Sequence, residues 1–313
     1  MMTKLRSRAS HRWLSGLMLL SSVLWIAACG TTPTKTGSST AKGKFAVLSN
    51  NPSCTDYSFG EATCNGAAAA KQATGAQMTF APNLSTADDL LHQGAAYANA
   101  GYKWVFIADG GVPDVTKQLA SEFPHTFFCE GFTAISPKPK NLCTWNVDFE
   151  LGTFSAGLLA GMLTKSNKVG GIEALSFPVI NAELEAFILG ARYVNPKVTS
   201  VETNINTSTD VSKGEAAANA QIAAGADMII SAADATNPGL YKAAEAHSGT
   251  LVFPQYTDSH VLAPSVVLTT ALDDLSGCLE MVIKLAVGGS IRNQDYYCGA
   301  SEGAGKLAPY TSQ

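Results

Sequence analysis

Short apolar runs alternate with longer amphipathic stretches along most of this chain. Residues 45–49, 77–81, 104–108 and 125–129 are β-prone runs of the kind a sheet covered on both faces buries. Between them lie helical patterns. The first is Ala-rich and extends to about Ala73, the second starts at Ser85 with Asp88 three residues on, and the third opens near Pro113. A β-prone run at 144–147 ends in Asp148 and Glu150, and a helix of small residues follows over 151–164. The alternation then begins again, with strands predicted at 168–172, 199–203, 228–231 and 251–253 and helices starting near Asn181, Asp210 and Pro238. A strand at 266–269, a helix over 276–287 and a strand at 296–298 close the pattern. Strands separated by helices of this length predict two doubly wound parallel sheets, an α/β architecture, with the stretch around Asp148 as the crossover. A chain of 313 residues also exceeds what one core usually supports.

The N-terminus changes the picture of where such a protein works. Lys4, Arg6, Arg8 and Arg12 precede an apolar run over 14–28, and Ile26-Ala27-Ala28-Cys29 matches a bacterial lipobox. Residues 1–28 therefore read as a lipoprotein signal peptide, too short for a comfortable membrane span, with Cys29 as the lipidated residue. The Thr/Ser/Gly/Lys tract over 29–43 reads as a flexible tether. The expected location is the extracytoplasmic face of the cell membrane, reached through a lipid anchor.

Charge and cysteine usage agree with that location. Of the 21 basic side chains four fall in the first 28 residues, which leaves 17 against 25 acidic ones, a net charge of −8. Such a balance excludes nucleic acid as the natural partner, because phosphates need a basic face. Six cysteines remain beyond Cys29 and allow fifteen pairings. Their grouping into near neighbours favours Cys54–Cys64, Cys129–Cys143 and Cys278–Cys298. No Cys-x-x-Cys or histidine spacing suits a metal, and none is expected.

In doubly wound sheets ligands sit outside the carboxyl ends of the strands. Those ends and the loops after them carry Asp56, Ser58, Phe59, Asp109, Asp148 and Glu150 in the first half. In the second half they carry Phe177, Asp234, Tyr256, Asp258 and Asp273. A single Asp at a loop start is usually a cap or turn former. The coincidence of so many on one edge is what makes them candidate ligand-binding residues. An aromatic floor with several carboxylates suits a flat polar molecule, since carboxylates accept from hydroxyls and amines while a ring covers an apolar face.

The segments Asp56-Tyr57-Ser58-Phe59, GTFSAGLLAG, KVGGIEAL, EAFILGARYVNPKV, DSHVLAPSVVLTT and KLAPY resemble the basic membrane protein family over residues 44–310. That family comprises substrate-binding lipoproteins similar to the purine nucleoside receptors of ABC importers. The resemblance implies a type I periplasmic-binding fold, two lobes joined by a three-strand hinge. Lobe 1 would span 44–147 plus about 272–294, and lobe 2 would span 148–271 plus about 295–313. It implies a nucleoside-like ligand, an ABC permease as partner and no cofactor. Phe59 matches the family's base-stacking aromatic, with Asp56 and Ser58 beside it. The sequence departs from the family at Gly60, where an Asn is usual, and at Asp273, where a Lys is common. Of the paired acids that grip the ribose only Asp258 remains, with Tyr256 at the other place, and the second stacking aromatic expected near 232–234 is missing.

Enzyme chemistry is not expected. Gly299-Ala300-Ser301-Glu302-Gly303 has the spacing of a nucleophile elbow, yet no histidine follows His260. No Gly-Lys-Ser/Thr phosphate loop is present either. Two other roles suit the same scaffold: a sensory receptor for a signalling partner, or an adhesive lipoprotein with a degenerate pocket.

Overall fold

The structure is a computed structural model that describes residues 43–310. The signal segment 1–28, the lipidation candidate Cys29 and the tether as far as residue 42 lie outside the described residues. In chain order the elements of the first half are β1 (Lys44–Leu48), α1 (Phe59–Thr74), β2 (Gln77–Ala81), α2 (Ala87–Asn99), β3 (Trp104–Ile107), α3 (Pro113–Glu122), β4 (Phe127–Gly131) and β5 (Leu142–Val147). The second half holds α4 (Phe149–Leu163), β6 (Lys168–Glu173), α5 (Pro178–Val194), β7 (Thr199–Asn204), α6 (Val211–Ala223), β8 (Met228–Ala232), α7 (Asn237–Glu245) and β9 (Leu251–Phe253). The chain closes with β10 (Ala271–Leu272), α8 (Leu275–Val287), β11 (Asp295–Cys298) and β12 (Lys306–Leu307).

Two parallel sheets result. The first runs β2-β1-β3-β4-β5-β11 and the second β7-β6-β8-β9, while β10 and β12 pair antiparallel beside them. The apolar runs make the first sheet by being buried on both faces. Along β1, Phe45 and Val47 enter the core shared with Trp145 and Leu279, and Ala46 and Leu48 enter the core shared with Ile107 and Phe128. In the second sheet Ile172 and Ile229 face one core, and Val169 and Ile230 face the other. Continuous apolar strands of this kind are what a parallel sheet covered by helices requires.

α4 leaves the crossover and packs on α5. A Cβ at Gly157 would collide with the backbone carbonyl of Phe187, and one at Gly190 with that of Phe154. The small residues at 157 and 190 thus let the two backbones come together, as the pattern of the crossover helix predicts.

The three favoured cysteine pairs form, Cys54–Cys64, Cys129–Cys143 and Cys278–Cys298. Cys129 and Cys143 are register partners on neighbouring strands. Three expectations need correction. Residues 295–298 do not join the second lobe: β11 adds to the edge of the first sheet beside β5, because Tyr296 and Cys298 bury there and Cys298 is bonded to α8. The predicted strand at 266–269 amounts to one bridge, Val252 to Val267, and the Thr269 hydroxyl donates instead to the carbonyl of Ala308 at 2.7 Å. Helix α2 is capped one residue later than predicted, by a reciprocal pair between Thr86 and Asp89. Among the described residues no helix is long and apolar enough to cross a membrane.

Candidate functional site

Strand order places the site. In the first sheet the order reverses between β1 and β3, in the second between β6 and β8. Chains leaving such neighbours diverge to opposite faces and leave a crevice at the carboxyl ends. Both crevices open on one cavity of about 500 Å³ between the lobes. Asn50 and Asn51 after β1, Asp109 after β3, Ala174, Leu175 and Phe177 after β6 and Asp234 after β8 all line it.

Its floor is aromatic. Phe59, Phe132, Phe149 and Tyr256 form a closed cycle of ring contacts with centroids 5.6, 5.2, 5.5 and 5.6 Å apart in turn. Trp145 backs Phe132 at 4.8 Å. Edge and tilted contacts at these distances are the favoured aromatic geometry. Phe59 is held by the start of α1. The Asp56 carboxylate accepts from the N–H groups of Ser58, Gly60 and Glu61 at 2.8–3.0 Å, where the helix leaves donors free. Phe177 lies at the other side, 40% exposed, so close to Gly111 that a Cβ there would meet the ring at 3.5 Å.

Three carboxyl groups face this cavity. Asp109 accepts from the Asn50 N–H at 2.6 Å, and burial raises its pKa to about 6. Asp234 accepts from the Ser58 hydroxyl at 3.2 Å; burial, with Asp56 nearby, pushes it up to about 7. Glu183, from α5, accepts from the Tyr256 hydroxyl at 3.1 Å, and burial, with Asp273 behind it, holds it well above the usual carboxylate range. Three of the residues in this group, Phe132, Asp234 and Tyr256, have positive φ (53°, 49° and 73°). Such backbone is costly for side chains of this size and concentrates at functional sites. Ser58 to Asp234, Thr257 to the Ser58 carbonyl (3.4 Å) and Ser259 to the Tyr57 carbonyl (3.0 Å) bridge the two lobes beside the cavity.

The sequence matches the family described as ABC transporter substrate-binding protein, PnrA-like, over residues 45–307. The chain belongs to that family. Among curated relatives it is 29% identical over 237 residues to a purine-binding protein of Brucella abortus (strain 2308), covering 75% of this chain and 66% of that one. It is 24% identical over 229 residues to basic membrane protein A2 of Borrelia garinii subsp. bavariensis, covering 72% and 67%. The chain thus spans about two thirds of the length of these relatives. An ABC transporter solute-binding protein from Aeropyrum pernix K1 superposes with a TM-score of 0.77 at 17% identity, over 85% of this chain and 76% of that one. The architecture is the type I periplasmic-binding fold of these solute-binding neighbours, and the family is one of substrate-binding proteins rather than enzymes.

In this member of the family, five of the eleven residues singled out from sequence line the cavity: Phe59, Asp109, Phe177, Asp234 and Tyr256. Ser58 stands behind them as donor to Asp234, and Asp56 is used up in holding α1. The other four, Glu150 among them, do not line it. Asp148 is half-buried at the start of α4 beside Glu150. Asp258 is exposed and accepts from the His260 N–H at 3.0 Å, a turn former. Asp273 is 0% exposed but packs onto Gly152 of α4, because the crossing from β10 to α8 turns its side chain away from the cavity. The carboxyl facing Tyr256 is Glu183, which the sequence reading overlooked together with Phe132 and Phe149. A signal for Glu183 exists: it lies on the stripe Ile180, Leu184, Phe187 of α5, a carboxylate at a core position.

Proposed function

We propose that this protein is a lipid-anchored, extracytoplasmic receptor that captures a purine nucleoside or a similar flat, polar ring compound and presents it to an ABC permease. The observation that carries the reading is the closed aromatic floor, which includes Phe59, together with the three carboxyls that line the same cavity. A planar base covers the rings, and hydroxyls or ring N–H groups donate to Asp109, Asp234 and Glu183. The cavity falls within the 300–1,000 Å³ common for small-molecule sites. The name of the Brucella relative supports a purine. The hydrogen bonds from Thr257 and Ser259 to the loop that carries Phe59 support a mechanism in which the lobes hinge together around the ligand. Cys29 attaches the mature chain to the membrane, and the tether gives the lobes reach towards the permease.

Calorimetric titration with adenosine, guanosine and inosine tests the ligand. We expect saturable binding, weakened about 10- to 100-fold by Phe59→Ala, as the loss of one base–aromatic stack implies. Absence of heat with every nucleoside and free purine would sink the reading. The anchor is tested separately: Cys29→Ser should abolish detergent partitioning, and an unchanged full-length mass in the wild type would refute processing at that cysteine.

A further inference from the structure

We propose that the cleft selects cationic ligands over neutral ones of the same shape, so that within the nucleoside class it prefers molecules that carry a positive charge on the base or the sugar. The inference rests on the reading of this cavity as the ligand site. Three carboxyl groups line it, and among the described residues no Lys, Arg or His does. None of Asp109, Asp234 and Glu183 takes part in any ion pair of the described chain. The charged groups that act on them from neighbouring elements are acids as well: Asp56 beside Asp234, and Glu150 and Asp273 beside Glu183. A buried carboxylate is normally paired or neutralised. Here the protein supplies no counter-charge.

Glu183 makes the case independently of acid number. It is 0% exposed and lines the cavity, and only one of its oxygens is engaged, by Tyr256; Oε1 has no partner. An unpaired acceptor on a buried residue of the cavity wall can take a donor from a ligand that reaches it. The aromatic cycle beneath it supplies a second attraction. Ring faces attract cations more strongly when both are out of water. Carboxyls and rings that line one cavity therefore favour the same sign of charge.

Raised pKa values follow from the same cause. Burial holds Asp109 near 6 and Asp234 near 7, with Glu183 well above the ordinary range. Below those values the acids are protonated and neutral. A cation must displace these protons, so its affinity should rise as pH increases through that window, whereas a neutral ligand should respond weakly.

The test is a set of matched ligands. Adenosine is compared with 5′-amino-5′-deoxyadenosine, which exchanges a hydroxyl for an ammonium, and with 1-methyladenosine, which is charged on the base. Titrations are run at pH 5.5 and 8. We expect at least one cationic nucleoside to bind tenfold or more tightly than adenosine at pH 8, with the ratio shrinking at pH 5.5. Glu183→Gln and Asp109→Asn should each reduce that ratio, and circular dichroism of both checks folding. Equal affinities for charged and neutral partners at both pH values, or a ratio untouched by both variants, would overturn the proposal. Tryptamine, an aromatic amine that is no nucleoside, separates the two readings. If it binds while no nucleoside does, the nucleoside reading fails and cation selection stands; if adenosine binds well and the cations do not, the reverse holds.

Discussion

The two lobes hold their shares of the cavity by different means. All three disulfides of the described chain lie in the first lobe, where Cys54–Cys64 braces the loop before Phe59 and Cys129–Cys143 ties β4, which leads to Phe132, to its neighbour. The second lobe has none among the described residues. It relies on close backbone packing of α4 on α5, and it presents the half-buried Asp234 and the fully buried Glu183, neither in an ion pair of the described chain. The Phe59 and Phe132 part of the floor is thus stapled covalently, and the second lobe's share of the cavity is held by packing that any added atom disturbs. The difference teaches that redox conditions should act on the first lobe and added volume on the second, while pH acts on both, through Asp109 in the first and Asp234 and Glu183 in the second.

The sharpest way to break the comparison is to add volume where α4 meets α5. At Gly157 a side chain meets the backbone of Phe187, which cannot rotate away. Overpacking costs about 1–3 kcal/mol and more where backbone must move, so Gly157→Leu should cost about 3 kcal/mol or more. We expect a lower urea midpoint, with hydrogen-exchange protection lost mainly in α4, α5 and β6. Protection lost equally in both sheets would show that the lobes unfold as one unit. Next in size is the covalent brace. Replacing Cys129 and Cys143 by Ala opens a loop with a sequence separation of 14, worth about 2–3 kcal/mol on the chain-entropy model. The loss should fall on the six-stranded sheet, and reductant should lower the wild-type midpoint without affecting the double variant's own brace-free loop. A midpoint unchanged by the double substitution would mean that the strand pairing alone fixes this edge.

Much of the fold was legible because a parallel sheet announces itself through apolar runs at regular intervals. The cysteine pairs were legible because each joins near neighbours. The end of the chain was misplaced because β11 is amphipathic, with Tyr296 and Cys298 inward and Tyr297 exposed, and nothing local says which sheet edge it joins. At the site, strand ends pointed to Asp109, Asp234 and Phe59, since the loop after a strand has one direction to go. Asp273 fails that logic. It lies in a crossing between lobes, and side-chain direction there depends on how α4 packs. Phe132 escaped notice because its left-handed backbone turns the chain out of β4, a feature with no sequence mark beyond the preceding Gly131.

The smallest expected effect concerns the wall of the second lobe and its dependence on pH. Asp234 has a pKa of about 7 in the folded protein, raised by burial and by Asp56, against an ordinary value near 3.8. Folded protein therefore binds more protons than unfolded protein between those values, and stability must fall as pH rises from about 4 to about 7. The sign is opposite to that of a paired surface acid such as Asp295, whose pKa Lys138 lowers. One unit of pKa difference corresponds to about 1.4 kcal/mol. Relaxation and water entry at a cleft leave an effect on the order of 1–2 kcal/mol for Asp234→Asn in the ligand-free protein. Asn cannot ionise and still accepts from Ser58, so the variant should be more stable than wild type at pH 8 and nearly equal to it at pH 4.5. Thermal unfolding at the two pH values measures this directly. If the variant were no more stable at pH 8, the charge at Asp234 would already be relieved by solvent, and the second lobe would owe its share of the cavity to packing alone.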